Sequence, residues 1–154
     1  MMSSADEVWM QEAMSLARRA EESGEVPVGA LVVSDGKVIG EGWNQPIAKH
    51  DPCAHAEIQA IRSACLYQQN YRLTDASLYV TLEPCAMCAG AIVHARVKRV
   101  IFATHDPRTG AAESVFQLLN NPALNHHCDI VSGICAEESA NMLRAFFRAR
   151  RKKS

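Results

Sequence analysis

The sequence predicts a three-layer α/β/α domain built on a mixed five-stranded sheet, and three features point there. Its 154 residues, 48% of them hydrophobic, suit one domain with a single core that needs no disulfide to hold it. Two β-rich runs meet at Ser34-Asp35-Gly36-Lys37, where Asp-Gly tolerates the positive φ of a tight hairpin. Beyond residue 55, helical and β-rich segments alternate at the lengths that crossovers between parallel strands require.

Taken in order, Ser4-Ala5-Asp6-Glu7 reads as a capping box, and Trp9, Ala13, Leu16, Ala17 and Ala20 follow at helical spacing before Gly24 ends the pattern. The segment PVGALVVSDGKVIGEGWN supplies the first two strands, antiparallel neighbours. Residues 44–52, polar and with two prolines, read as a loop. A second helix begins near His55 and continues through Ile58, Ile61 and Cys65. ASLYVTLE is a third strand, CAMCAGAIVHAR a helix and VKRVIFAT a fourth strand. A loop over 105–112 leads to a short helix, a weak fifth strand near 128–132 and a final helix over 136–150. The expected order is α-β-β-α-β-α-β-α-β-α, in one domain over 1–154 with its core at 4–150 and a basic tail at 151–154.

Composition narrows the function. No basic start, apolar stretch and small-residue cleavage site marks a secretory signal, and no apolar run approaches the roughly 20 residues that span a bilayer. The six cysteines therefore read as reduced thiols in a cytoplasmic protein with no membrane partner. The net charge of −1 does not advertise nucleic-acid binding, but its distribution is lopsided. Asp6, Glu7, Glu12, Glu21, Glu22 and Glu25 crowd the start. Arg144, Arg148, Arg150, Arg151, Lys152 and Lys153 crowd the end, with no acid among residues 141–154.

The chemistry lies in two short segments expected beyond the carboxyl ends of parallel strands, where helix N-termini also point. His55 opens the second helix, and Pro84-Cys85-Ala86-Met87-Cys88 opens the third, with Pro84 in a first-turn slot. Cys85 and Cys88, at i and i+3, share a helical face, and the positive end of that helix favours thiolate. Two thiolates and an imidazole make a three-ligand set for zinc with a fourth position left for water. Zinc lowers the pKa of such a water from about 15.7 towards about 7, and Glu57 is the candidate proton shuttle. Residues i and i+2 lie about 200° apart around a helix, so His55 and Glu57 share a pocket only if it sits off the helix's open end.

Three other readings compete. Cys85 and Cys88 could be a redox pair, which leaves His55 and Glu57 unexplained. Cys53 could join His55, Cys85 and Cys88 in a closed structural site. The same residues could also be plain packing groups without metal. The combined spacing favours the open site.

His55-Ala56-Glu57 and Pro84-Cys85-x-x-Cys88 together resemble the H-x-E…P-C-x-x-C signature of the zinc-dependent cytidine/nucleotide deaminases. VGALVV, VIGEGWN, HDPCAHAEI, NYRLTDASLYVTLEPCAMCAGA, RTGAAES and FFRARR extend the resemblance, from about Val8 to Arg151, to the bacterial tRNA-specific adenosine deaminases within that superfamily. The resemblance implies a cytidine-deaminase-like fold and one Zn2+ per subunit on His55, Cys85 and Cys88. It also implies a homodimer that converts the wobble adenosine of a tRNA anticodon stem-loop to inosine. Glu57 would then protonate ring nitrogen N1 and help the amino group leave as ammonia. Asn44 would hydrogen-bond the base, Val28 and Leu82 would wall it, and Ala56 belongs to the same substrate-binding group. Asp106 would touch the anticodon backbone, and Phe147, Arg148 and Arg150, with Phe146 and Arg151 beside them, would meet splayed bases and phosphates. The bland alternatives are turn-forming roles for Asn44 and Asp106 and a core role for the phenylalanines. His126-His127-Cys128 is weighed as a second metal site and set aside, because adjacent strand residues face opposite ways. Cys65 and Cys135 are read as packing residues.

Overall fold

The computed structural model describes residues 4–153. Its elements are α1 (Ser4–Glu22), β1 (Gly29–Ser34), β2 (Lys37–Trp43), α2 (Pro46–Lys49), α3 (Ala56–Gln68), β3 (Ser77–Leu82), α4 (Ala86–His94), β4 (Arg99–Thr104), β5 (Asp129–Ser132) and α5 (Ala136–Lys153). The strands form one sheet in the order β2-β1-β3-β4-β5. β1 is antiparallel to both β2 and β3, whereas β3, β4 and β5 run parallel. The mixed sheet is as predicted, and the hairpin turn has Asp35 and Gly36 both at positive φ, as a two-residue turn matched to strand twist requires.

Period-two alternation sorts the sheet residues onto two layers of helix. Leu31, Val33, Tyr79, Ile101 and Ala103 face α1, where Met10, Ala13 and Leu16 meet them. Ala30, Val32, Leu78, Val80, Val100 and Phe102 face the opposite layer and pack on Ala60, Ile61 and Ala64 of α3 and Ala89, Ile92 and Val93 of α4. α5 lies beside α1, tied to it by an Arg18–Glu138 ion pair of 2.8 Å and a hydrogen bond from Gln11 to Glu138.

Four expectations need correction. Ser4 is the first residue of α1 rather than its cap, so the capping position falls outside the described residues. Residues 44–52 contain the one-turn helix α2, because Pro46 opens it and the buried Glu25 carboxylate accepts the amides of Ile47 (3.1 Å) and Ala48 (2.8 Å). Pro84 stands one residue before the cap of α4 rather than in its first turn. No helix forms between β4 and β5: Val115 and Phe116 both donate to the Gly110 carbonyl and Leu118 to that of Ala111, spacings longer than an α-helical i→i−4 bond. Among the described residues, no helix is long and apolar enough to cross a membrane.

Candidate active site

The carboxyl ends of β3 and β4 and the N-termini of α3 and α4 converge on one point. His55 is the N-cap of α3 and Cys85 the N-cap of α4, both extended and neither using its side chain to cap its own helix. Both side chains are therefore available to each other. His55 Nδ1 lies 3.6 Å from Cys85 Sγ and 3.5 Å from Cys88 Sγ. These three donor atoms lie within 4.8 Å of one another and form a group able to hold a metal ion. Zinc bonds to nitrogen and sulfur are about 2.0–2.3 Å, so the edge of a tetrahedron of such ligands is about 3.5 Å. The donor set and its spacing fit zinc. Cys53 is exposed and outside this group, so the closed four-ligand arrangement is not formed.

Electrostatics support the same reading. A hydrogen bond from Cys88, helped by His55, holds the Cys85 thiol down to about 4 despite its partial burial. Sharing a proton with Cys85, together with burial, pushes Cys88 up, and the Cys85 contact pushes His55 up. One thiolate thus forms readily beside an imidazole. Glu57, in the first turn of α3 and only 4% exposed, faces the same pocket, which solves the 200° problem because the pocket lies off the helix end. Burial dominates its environment and pushes its carboxyl up to about 7.

Above this floor opens a cavity of about 750 Å³. Val28 and Leu82 form apolar walls and Asn44 lines a third side, while Asn44 Oδ1 accepts the Ala56 amide at 2.8 Å. The loop after β4 contributes His105, Asp106 and Arg108, and α5 contributes Leu143, Arg144, Phe147, Arg148 and Arg151. Two substrate-binding expectations shift. Ala56 is buried and does not line the cavity, its amide being committed to Asn44. Arg150 also lies outside the lining, with its guanidinium over the Phe146 ring and a hydrogen bond to the Gly24 carbonyl. Asp106 borders the cavity, but its carboxylate accepts the Arg108 and Thr109 amides and the Thr109 hydroxyl, so it also serves as a turn former. His126 bonds the Val97 carbonyl and His127 the Asn121 carbonyl, so no second metal cluster assembles there.

Sequence reasoning missed other participants. Arg144 was not singled out for the site, yet with Phe147, Arg148 and Arg151 it falls at i, i+3, i+4 and i+7, a single helical face that the periodicity of the tail could have revealed. Thr81 and Ser139 dock α5 on the site: the Thr81 hydroxyl accepts the Gly29 amide at 3.1 Å, and the Ser139 hydroxyl donates to the Thr81 carbonyl. Buried Glu83 anchors the loop after β4; its only sequence signal is an unpaired acid at the end of an apolar strand.

Fold and donor set define a zinc-dependent deaminase domain. Residues 3–104 match the model of the cytidine and deoxycytidylate deaminase zinc-binding region. The chain is 50% identical to the tRNA-specific adenosine deaminase of Haemophilus influenzae, over 95% of this chain and 85% of that one. It is 46% identical to that of Bacillus subtilis, over 96% and 92%. A solved structure from work on A-to-I editing by tRNA:A34 deaminases superimposes with a TM-score of 0.86 at 45% identity, covering 88% of this chain and 99% of that one. The guanine deaminase of Nitrosomonas europaea shares the fold at a TM-score of 0.80 and 20% identity, covering 95% and 85%. The chain belongs to the tRNA-specific adenosine deaminase family.

Proposed function

We propose that the protein hydrolyses the exocyclic C6–N bond of the wobble adenosine in a tRNA anticodon, yielding inosine and ammonia. The observation that carries this reading is a buried carboxylate, Glu57, beside a His-Cys-Cys set at the floor of a cavity whose rim bears Arg108, Arg144, Phe147, Arg148 and Arg151. A single free base would not need such a rim. Splayed loop nucleotides would, because phosphates attract arginine and bases stack on aromatic rings.

His55, Cys85 and Cys88 would hold the zinc, which supplies a Lewis acid able to make water nucleophilic near neutral pH. Glu57 accepts a proton from the attacking water and delivers it to N1 as C6 becomes tetrahedral. It then carries the second proton to the amino group, the C6–N bond breaks, and the water oxygen stays on C6 as the inosine carbonyl. A carboxyl pushed up by burial is suited to both halves of that transfer. Val28 and Leu82 enclose the purine, and Asn44, whose oxygen is occupied by Ala56, presents its NH₂ to an acceptor on the base. Arg148 and Phe147 lie where the flanking nucleotides would pass, with Asp106 shaping the facing loop. The chain is proposed to work as one deaminase domain in a cytoplasmic homodimer.

The test is inosine formation in an anticodon stem-loop RNA with adenine at the wobble position, for wild type and Glu57→Ala. Turnover by the wild type, with zinc retained but activity reduced by about 10²- to 10⁴-fold in the variant, supports the reading. Zinc binding with turnover of free guanine or cytosine only would overturn it.

A further inference from the structure

We infer that Glu83, which none of the chemical steps above uses, is a positioning residue that sets the substrate-facing loop in register with the metal-binding helix; this rests on the function proposed above. Glu83 is 2% exposed, and among the described residues its carboxylate forms none of the ion pairs. Backbone and hydroxyl groups of a single loop satisfy it instead. Oε1 accepts the Asp106 amide at 2.9 Å and the Ser114 hydroxyl, and Oε2 accepts the amides of Ala112 (3.1 Å), Glu113 (2.8 Å) and Ser114 (2.9 Å).

These bonds gather both ends of the loop onto one side chain. From the Asp106 end onward, Asp106, Pro107, Arg108 and Thr109 form a wall of the cavity. The neighbouring backbone extends the clamp, since the Glu83 amide donates to the Thr104 carbonyl at 2.9 Å and Ala111 donates to the Pro84 carbonyl at 2.7 Å. Two residues after Glu83 comes Cys85, a member of the metal group. The loop wall and the metal-binding floor therefore hang from the same three residues of chain, Glu83, Pro84 and Cys85.

Gly110 provides independent support. A Cβ there would fall on the Glu83 carboxylate and crowd the Asp106 carbonyl. The loop can approach the carboxylate this closely only because residue 110 has no side chain. A buried carboxylate collecting four amides and a hydroxyl is also costly unless all five donors are in place, so a loop that strays leaves charge unsatisfied. With all five donors in place, Arg108 and His105 line the cavity.

Glu83→Gln removes one acceptor oxygen and turns an NH₂ group towards amides that also donate. The experiment measures zinc per chain, kcat and KM on the anticodon stem-loop RNA, and amide hydrogen exchange in wild type, Glu83→Gln and Gly110→Ala. The expected result is full zinc, a KM for RNA raised about 10- to 100-fold with kcat changed less, and faster exchange at residues 106 and 112–114 while the strands stay protected. Gly110→Ala should reproduce this pattern, and it decides the matter if Glu83→Gln fails to fold. Unchanged kcat and KM, or loss of zinc in step with activity, would overturn the inference. If the wild type itself makes no inosine, the proposed function fails, and exchange at 112–114 still decides for Glu83: lost protection supports the anchor and retained protection sinks it.

Discussion

Asn44 Oδ1 accepts the backbone N–H of Ala56 at 2.8 Å, so one side chain both ties down the first turn of the metal-binding helix α3 and lines the cavity. The two roles separate by substitution. Asn44→Asp keeps the acceptor, at a helix N-terminus that favours negative charge, but loses the donor. It should leave thermal stability near wild type while lowering kcat/KM by about 10- to 100-fold, the loss expected for one buried hydrogen bond to substrate. Asn44→Ala should lose the same activity and also about 1 kcal/mol of stability. Equal stability losses in the two variants, measured by urea unfolding, would contradict this division.

The metal set predicts which thiols matter. Cys53 is exposed and outside the group, whereas Cys85 and Cys88 each approach His55 Nδ1. Cys53→Ser should bind one zinc per chain and retain kcat within about twofold, as an exposed substitution does. Cys85→Ser and Cys88→Ser should each lose zinc and activity together. Metal analysis of the purified variants decides it, and a zinc-free Cys53→Ser would restore the closed four-ligand site.

Most of the zinc site was legible because its information is local. His55 with Glu57, and Cys85 with Cys88, are each set by one helix start, and a strand-helix order places two such starts side by side. The loop over 105–112 was legible, but the stretch after it, read as a short helix, was not. Its apolar residues Val115, Phe116, Leu118 and Leu119 mimic helical spacing, but the amides before them are claimed by Glu83, a side chain on another strand. The destination of Arg150 was hidden for the same reason: its charge suggested a phosphate, while its position on α5 brings it to the Gly24 carbonyl. Contacts between distant segments settle such residues, and periodicity does not encode them.

Away from the site, Asp6 joins α1 to the sheet. It is 1% exposed, pairs with Arg99 at 3.0 Å and accepts the Tyr79 hydroxyl. Burial, and after it the hydrogen bond and negative charge of Asp6, push the Tyr79 pKa up. A raised folded-state pKa gives stability that is fully present below the unfolded tyrosine value of about 10 and is lost as pH rises from there towards the folded value. Unfolding free energy should therefore fall above about pH 10 with a contribution of up to about 1.4 kcal/mol per pH unit from this group. Tyr79→Phe should be less stable by about 1 kcal/mol at neutral pH yet lack that contribution. Urea titrations between pH 8 and pH 12 test it, and parallel curves for the two proteins would remove Tyr79 from the account.

Arg148 and Arg150, two residues apart near the end of α5, should behave differently. Arg148 lines the cavity, while Arg150 stacks on Phe146 and bonds the Gly24 carbonyl. If Arg148 meets a phosphate, Arg148→Ala releases one fewer counterion on binding, and the slope of log affinity against log salt for the stem-loop RNA should become shallower by about 0.7. Arg150→Ala should leave that slope nearly unchanged, because its charge is not directed at the cavity. It should instead loosen the end of α5, seen as faster amide exchange over residues 145–152 and a modest rise in KM at all salt concentrations. Identical salt slopes for Arg148→Ala and wild type would mean that the rim arginine shapes the cavity without touching the nucleic acid.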